Sequence, residues 1–285
     1  MRVAGEREPQ FARLKEQMQR SLSQYAKSTP LTHARDDSRA ARLQTHWSVD
    51  EQLESFDSIT AADVDEFAAE WLAAAQIFVL VSGNLLEAEA RDFCNKVALA
   101  FQLKPLPAAH VPSQRCVLVP ADRLFIRQQL ARNPDESNSA VLNVYQIGPA
   151  TDDLEAHLTL LAHILSDALF DQLRTKETLG YLVQGFQGRL AGVLHYQIAV
   201  QSSDADGAYL DHRVEAFLEW FRSVKLADLI KETSDFIEQN KKAVVANLTE
   251  KDKNIGDAHN RHWGEIEKVG WFGQPAAPRS IERTH

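Results

Sequence analysis

Among residue types that do chemistry, histidine stands at positions 33, 46, 110, 157, 163, 195, 212, 259, 262 and 285. A zinc hydrolase of the H-x-x-E-H type needs two imidazoles one helical turn apart, with a glutamate to activate the metal-bound water. No two of these histidines are four residues apart, so that signature is absent. The nearest arrangement is His259, His262 and Glu265, whose i, i+3, i+6 spacing gathers side chains on one side of a helix. It reads as a structural zinc site or, more ordinarily, as a solvated helix face beside a buried Trp263. His157 and His163 do not share one tight face and read as packing or surface residues. Ser82-Gly83 is no G-x-S-x-G elbow, Cys94 reads as a small core residue on an apolar helix, and no phosphate-binding P-loop occurs. What remains is the run RTKETLGY at 174–181, which sets Arg174 and Tyr181 around one helix-to-strand corner. From composition alone, Arg174 is a helix-end charge and Tyr181 a half-buried strand residue.

The elements that position this corner are well marked. Leu154, Leu158, Leu161, Leu165, Ala168, Leu169 and Leu173 form a 3.6-residue stripe. Thr151 is its N-cap, Asp152 and Asp153 place negative charge in the first turn, and Arg174 and Lys176 place positive charge in the last. Gly180 breaks the pattern, and a hairpin follows over 180–189 and 193–201, turning at Ala191 and Gly192. Residues 202–206 cap another helix, with Leu210, Val214, Phe217, Leu218 and Phe221 on its core face. One more helix is expected over 227–248, and a last helical piece around His262 and Ile266.

Upstream, helices are expected around Phe11 to Tyr25, over 31–45, after the Ser48/Glu51 capping box, and from Thr60 with Val64, Phe67, Trp71 and Leu72 as its apolar face. The apolar run 77–81 reads as a buried strand and 86–101 as a helix. Three prolines in 104–114 make the best linker. Strands are expected over 116–119, 124–130 and 140–147, the last alternating Val141, Asn143 and Tyr145 against Leu142, Val144 and Gln146. Strands, helix, hairpin, then helices describe an α+β fold with an antiparallel sheet.

A net charge of −9 and a pI near 5.6 argue against nucleic-acid binding. Two cysteines make neither a disulfide framework nor a zinc ribbon, and a cytoplasmic, reducing compartment is the default. No apolar run approaches membrane-spanning length, the first nine residues hold no signal-peptide core, and the C-terminus is not a peroxisomal address.

The RTKETLGY run, the helix before it, and the later VQSSDADGAYLDHRVEAFL resemble the last domain of the M16 zinc metalloendopeptidases, the insulinase or pitrilysin family. The resemblance extends from about residue 9 to 266. It implies LuxS/MPP-like α+β domains, an antiparallel sheet packed with helices. Residues 1–112 would be the back half of a third M16 domain and 113–267 a nearly complete fourth, with a disordered tail at 268–285. The front of the third domain and the end of the fourth would be missing, as in a fragment or truncated product. Zn2+ belongs to the complete family enzyme, and no residue of this chain is expected to bind it. Partners would be a peptide substrate and an N-terminal zinc-bearing half, in the same chain or a separate one, with a homo-oligomer left open and no nucleic acid or membrane. Arg174 and Tyr181 match the family's second-half contribution to a composite active site: tyrosine donating to the developing oxyanion, arginine holding a substrate carbonyl. Asn138 and Ser139 read as structural. Alone, the chain is expected to be inactive. The alternatives are an inactive peptide-binding protein, a scaffold, or a partial gene product.

Overall fold

Leucines recurring along one helix and alternate residues of one strand meet in the main core. The computed structural model describes residues 7–102, 104, 106, 107, 110–232 and 235–270. They group into two compact units. The first draws its described residues from 1–19, 52–114 and 251–285, the second from 20–51 and 115–250. The expected tail at 268–285 lies largely outside the described residues, as does Pro105 of the linker.

The second unit holds a three-stranded antiparallel sheet of β1 (Ser139–Pro149), β2 (Leu182–Leu190) and β3 (Val193–Ser202). The order is β1-β3-β2, so β3 is central, and every residue of it is buried. Helix α6 (Asp152–Leu169) and helix α7 (Gly207–Trp220) cover one face. There Leu158, Leu165, Leu169 and Leu173 pack with Tyr196, Ile198, Val200, Leu210, Val214 and Phe217. Helix α2 (Pro30–Arg42) packs on β1 and β3 from the other side. The hairpin turn falls where expected: Ala191 and Gly192 both take positive φ, 44° and 83°, matching the right-handed twist of the strands they join. The expected caps are present. Thr151 accepts from the Leu154 amide at 3.1 Å, and Asp206 accepts from the Tyr209 amide at 2.8 Å.

The expected helix over 227–248 is two helices, α8 (Leu226–Glu232) and α9 (Phe236–Leu248). Leu161 departs from the expected stripe and is 44% exposed, because the buried positions run along 158, 164, 165 and 169 instead.

The first unit contains the start of α1 (Arg7–Gln24), the end of α3 (Val49–Phe56), α4 (Ala61–Ala73), α5 (Glu87–Ala100) and α10 (Ile255–Gly270). Lys15 donates to the carbonyls of Asp57 and Ile59 at 2.9 and 2.7 Å, and Arg7 pairs with Asp65. The Thr60 capping box forms with Asp63. The face of α4 expected to be core is instead open: Val64, Phe67 and Trp71 are exposed.

Three expected strands do not form. Residues 77–81 and 124–130 join no ladder, and 116–119 makes only an isolated bridge between Cys116 and Leu43. Most of their large apolar side chains are exposed, Leu124 and Leu130 most of all. β-Branched and apolar runs mark a segment that can pair, but a strand exists only where a neighbour supplies its hydrogen bonds. Among the described residues no segment forms a ladder with these runs.

Candidate functional site

The corner begins with α6, which does not stop at Leu169 but continues as a π-helical stretch, Phe170–Lys176. Such widened turns insert an extra residue per turn and recur at functional sites. The stretch is anchored inside by Leu173, fully buried, and closed by two main-chain bonds: Glu177 N–H to the Gln172 carbonyl at 3.0 Å and Leu179 N–H to the Leu173 carbonyl at 3.1 Å. Thr178 sits between them at φ 49°, a left-handed conformation that a β-branched residue adopts only under constraint. Gly180 then presses against β3. A Cβ there would lie 2.0 Å from the Gln201 carbonyl oxygen, so no side chain fits without moving backbone.

Glu177 ties this corner to α7. Arg213 Nε and Nη2 donate to its two carboxylate oxygens at 2.7 and 2.8 Å, and Gln172 adds a bond at 2.8 Å. The Arg213 contact holds the Glu177 carboxyl below the usual glutamate range, and the same contact raises Arg213.

The corner is thus held at Leu173, Glu177 and Gly180. Arg174 is half-buried and Tyr181 is 76% exposed. Neither the guanidinium nor the phenol hydroxyl bonds to another described residue. The neighbouring Lys176, expected to serve the helix end, pairs with Asp171 at 2.7 Å. Glu177 and Arg213 were not singled out by sequence reasoning, although Glu177 lies inside RTKETLGY and Arg213 inside the second run that carries the resemblance.

Asn138 and Ser139 stand apart from this corner. Asn138 donates from its amide and side chain to Glu136, at 2.7 and 2.6 Å, and Ser139 opens β1 opposite Ser202. His259 Nδ1 bonds the Ser82 hydroxyl at 2.8 Å, and His262 Nε2 lies 3.5 Å from the Arg261 guanidinium. Trp263, expected to be buried, is half-buried and donates to Glu267 at 2.8 Å. Among the described residues no three His, Cys, Asp or Glu side chains converge into a group that could hold a metal ion.

In fold and in sequence the chain is similar to the C-terminal α+β part of M16-type peptidases. The family model for the PQQ synthase PqqF-like C-terminal lobe, domain 4, matches residues 160–263, which include the corner, the hairpin and α7. The putative zinc protease mug138 of Schizosaccharomyces pombe is 27% identical over 221 residues, covering 77% of this chain and 22% of that protein. Human insulin-degrading enzyme is 28% identical over 263 residues, covering 91% of this chain and 25% of that enzyme. The crystal structure of pitrilysin superposes with a TM-score of 0.75 at 22% identity, over 95% of this chain and 28% of pitrilysin. Over most of its length the chain is thus homologous to the M16 peptidases, and it spans about a quarter of the length of these relatives.

Proposed function

We propose that this chain is the non-zinc-binding, C-terminal portion of an insulin-degrading-enzyme-like metalloendopeptidase. It forms a wall of the peptide chamber and contributes Arg174 and Tyr181 to peptide hydrolysis. Residues 1–112 then act as the back half of a third M16 domain and 113–267 as the fourth. The observation that carries the proposal is the pair of unengaged polar ends on a corner held by Leu173, Glu177 and Gly180. A rigid base matters because a transition-state contact is effective only when its donor is already in place. The Tyr181 hydroxyl donates to the oxyanion that develops as the peptide carbonyl is attacked. The Arg174 guanidinium holds a neighbouring substrate carbonyl. The zinc-bearing N-terminal half, in the same chain or a separate one, supplies the metal-activated water.

The setting is a reducing compartment such as the cytoplasm, where Cys94 and Cys116 remain free thiols. Among the described residues no helix is long and apolar enough to cross a membrane.

Complementation tests the proposal. The 285-residue chain alone, with metal controlled, is expected to leave a fluorogenic peptide intact. Mixed with an M16 N-terminal half, it is expected to restore zinc-dependent cleavage, and Arg174→Gln and Tyr181→Phe should each lower that cleavage by about 10–1000-fold. Cleavage by the isolated chain, or restoration indifferent to both substitutions, would refute it. Stable binding of peptide without restored cleavage would favour the inactive peptide-binding or scaffold alternative.

A further inference from the structure

We infer that the hairpin face packed by α2 carries a second binding site, for a small oxyanion group, a carboxylate or a phosphate. A groove of about 930 Å3 opens beside α2 along β2 and β3. Arg35, Arg39 and Arg42 of α2 line it, spaced to share one helix face. His195 and Gln197 of β3 face them. No aspartate or glutamate is among its lining residues.

Two of these groups are buried and incompletely bonded. Arg42 is 8% exposed; its Nε donates to the Ser38 carbonyl at 2.9 Å, while Nη1 has no partner. His195 is 6% exposed, and its Nδ1 has no partner. A buried guanidinium without a counter-charge is costly, and an anion that completes its bonds removes that cost. Burial pushes Arg42 down from the usual arginine range, and burial and Arg42 together lower His195. The acidic residues of α2 are engaged elsewhere: Asp36 by Tyr25 and His46 at 3.1 Å each, Asp37 by Arg127 at 3.0 Å.

The opening over the imidazole also has a structural cause. Gly188 pairs with His195 across the hairpin, and a Cβ there would fall 2.6 Å from His195 Nε2. Arg35 lies over the Phe186 ring, 5.8 Å from its centroid, which steadies the outermost guanidinium at the rim. Planar guanidinium forks around such an opening match the paired oxygens of a carboxylate or phosphate.

The experiment follows thermal unfolding of the 285-residue chain at constant ionic strength set with sodium chloride. The probes are inorganic phosphate, N-acetyl-dialanine as the free acid, and its amide. Phosphate, the peptide acid or both should raise the midpoint saturably, by roughly 3–6 °C at tenfold excess over the dissociation constant. The amide should do nothing. Response to the acid alone assigns a peptide carboxylate, and response to phosphate alone assigns a phosphate group. Arg39→Gln, on an exposed side chain, should weaken the response at least tenfold in concentration, and Arg42→Met should abolish it. Should Arg42→Met not fold, Arg39→Gln alone decides. Absence of any saturable shift beyond chloride, or a shift unchanged by the variants, overturns the inference.

Discussion

Glu177 and Arg213, 36 residues apart in sequence, meet in a two-pronged ion pair that fixes the RTKETLGY corner to α7. Their side chains are 16% and 29% exposed, so solvent screens the pair only in part. The pair joins the helix end that carries Arg174 to α7.

Replacing Glu177 with Gln should lower stability by about 1–2 kcal/mol at neutral pH. The folded-state pKa of Glu177 is depressed. Its contribution is therefore present above the unfolded value, about 4.3, and fades as pH falls through the lower folded value. Urea unfolding of wild type and Glu177→Gln from neutral pH downward should show curves that converge on the acid side. A constant gap down to the acid limit would mean the ion pair does not carry the difference.

Gly180→Ala should destabilise by on the order of 2–3 kcal/mol, because its Cβ would meet the Gln201 carbonyl at 2.0 Å. Gly192→Ala has open space around it, so its cost is confined to the positive φ, about 1 kcal/mol. Chemical denaturation should rank the two in that order. Equal losses would show that the close approach at Gly180 is relaxed in solution.

Leu173→Ala should remove about 3–5 kcal/mol, since the residue is fully buried beneath the corner. Leu161→Ala on the same helix should cost less than about 1 kcal/mol, because its side chain is already 44% exposed. The comparison separates true core positions from those that only share the sequence period.

Arg174→Gln and Tyr181→Phe should change the unfolding midpoint by less than about 0.5 kcal/mol equivalent, as neither polar end is engaged within the chain. Paired with a loss of restored peptidase activity, that result marks both as substrate contacts. A large stability loss would assign them to structure instead.

Local chemistry alone determined a good deal of this protein. Helix α6, its Thr151 cap, the Ala191-Gly192 turn and the Asp206 cap each depend on neighbours within a few residues, and each forms where the sequence places it. The RTKETLGY run was visible for the same reason. Pairing was not legible. The runs 77–81 and 124–130 have strand composition, yet a strand is a relation between segments, and the described residues provide no partner. The face of α4 carried a helical period but no knowledge of what would cover it. Only tertiary structure widened the end of α6 into a π-turn, brought Arg213 to Glu177, and set Arg42 of α2 beside His195 of β3. In each case the deciding energy comes from contacts between residues far apart in sequence, such as the ion pair and the desolvation of a shared interior, and periodicity along the chain does not encode them.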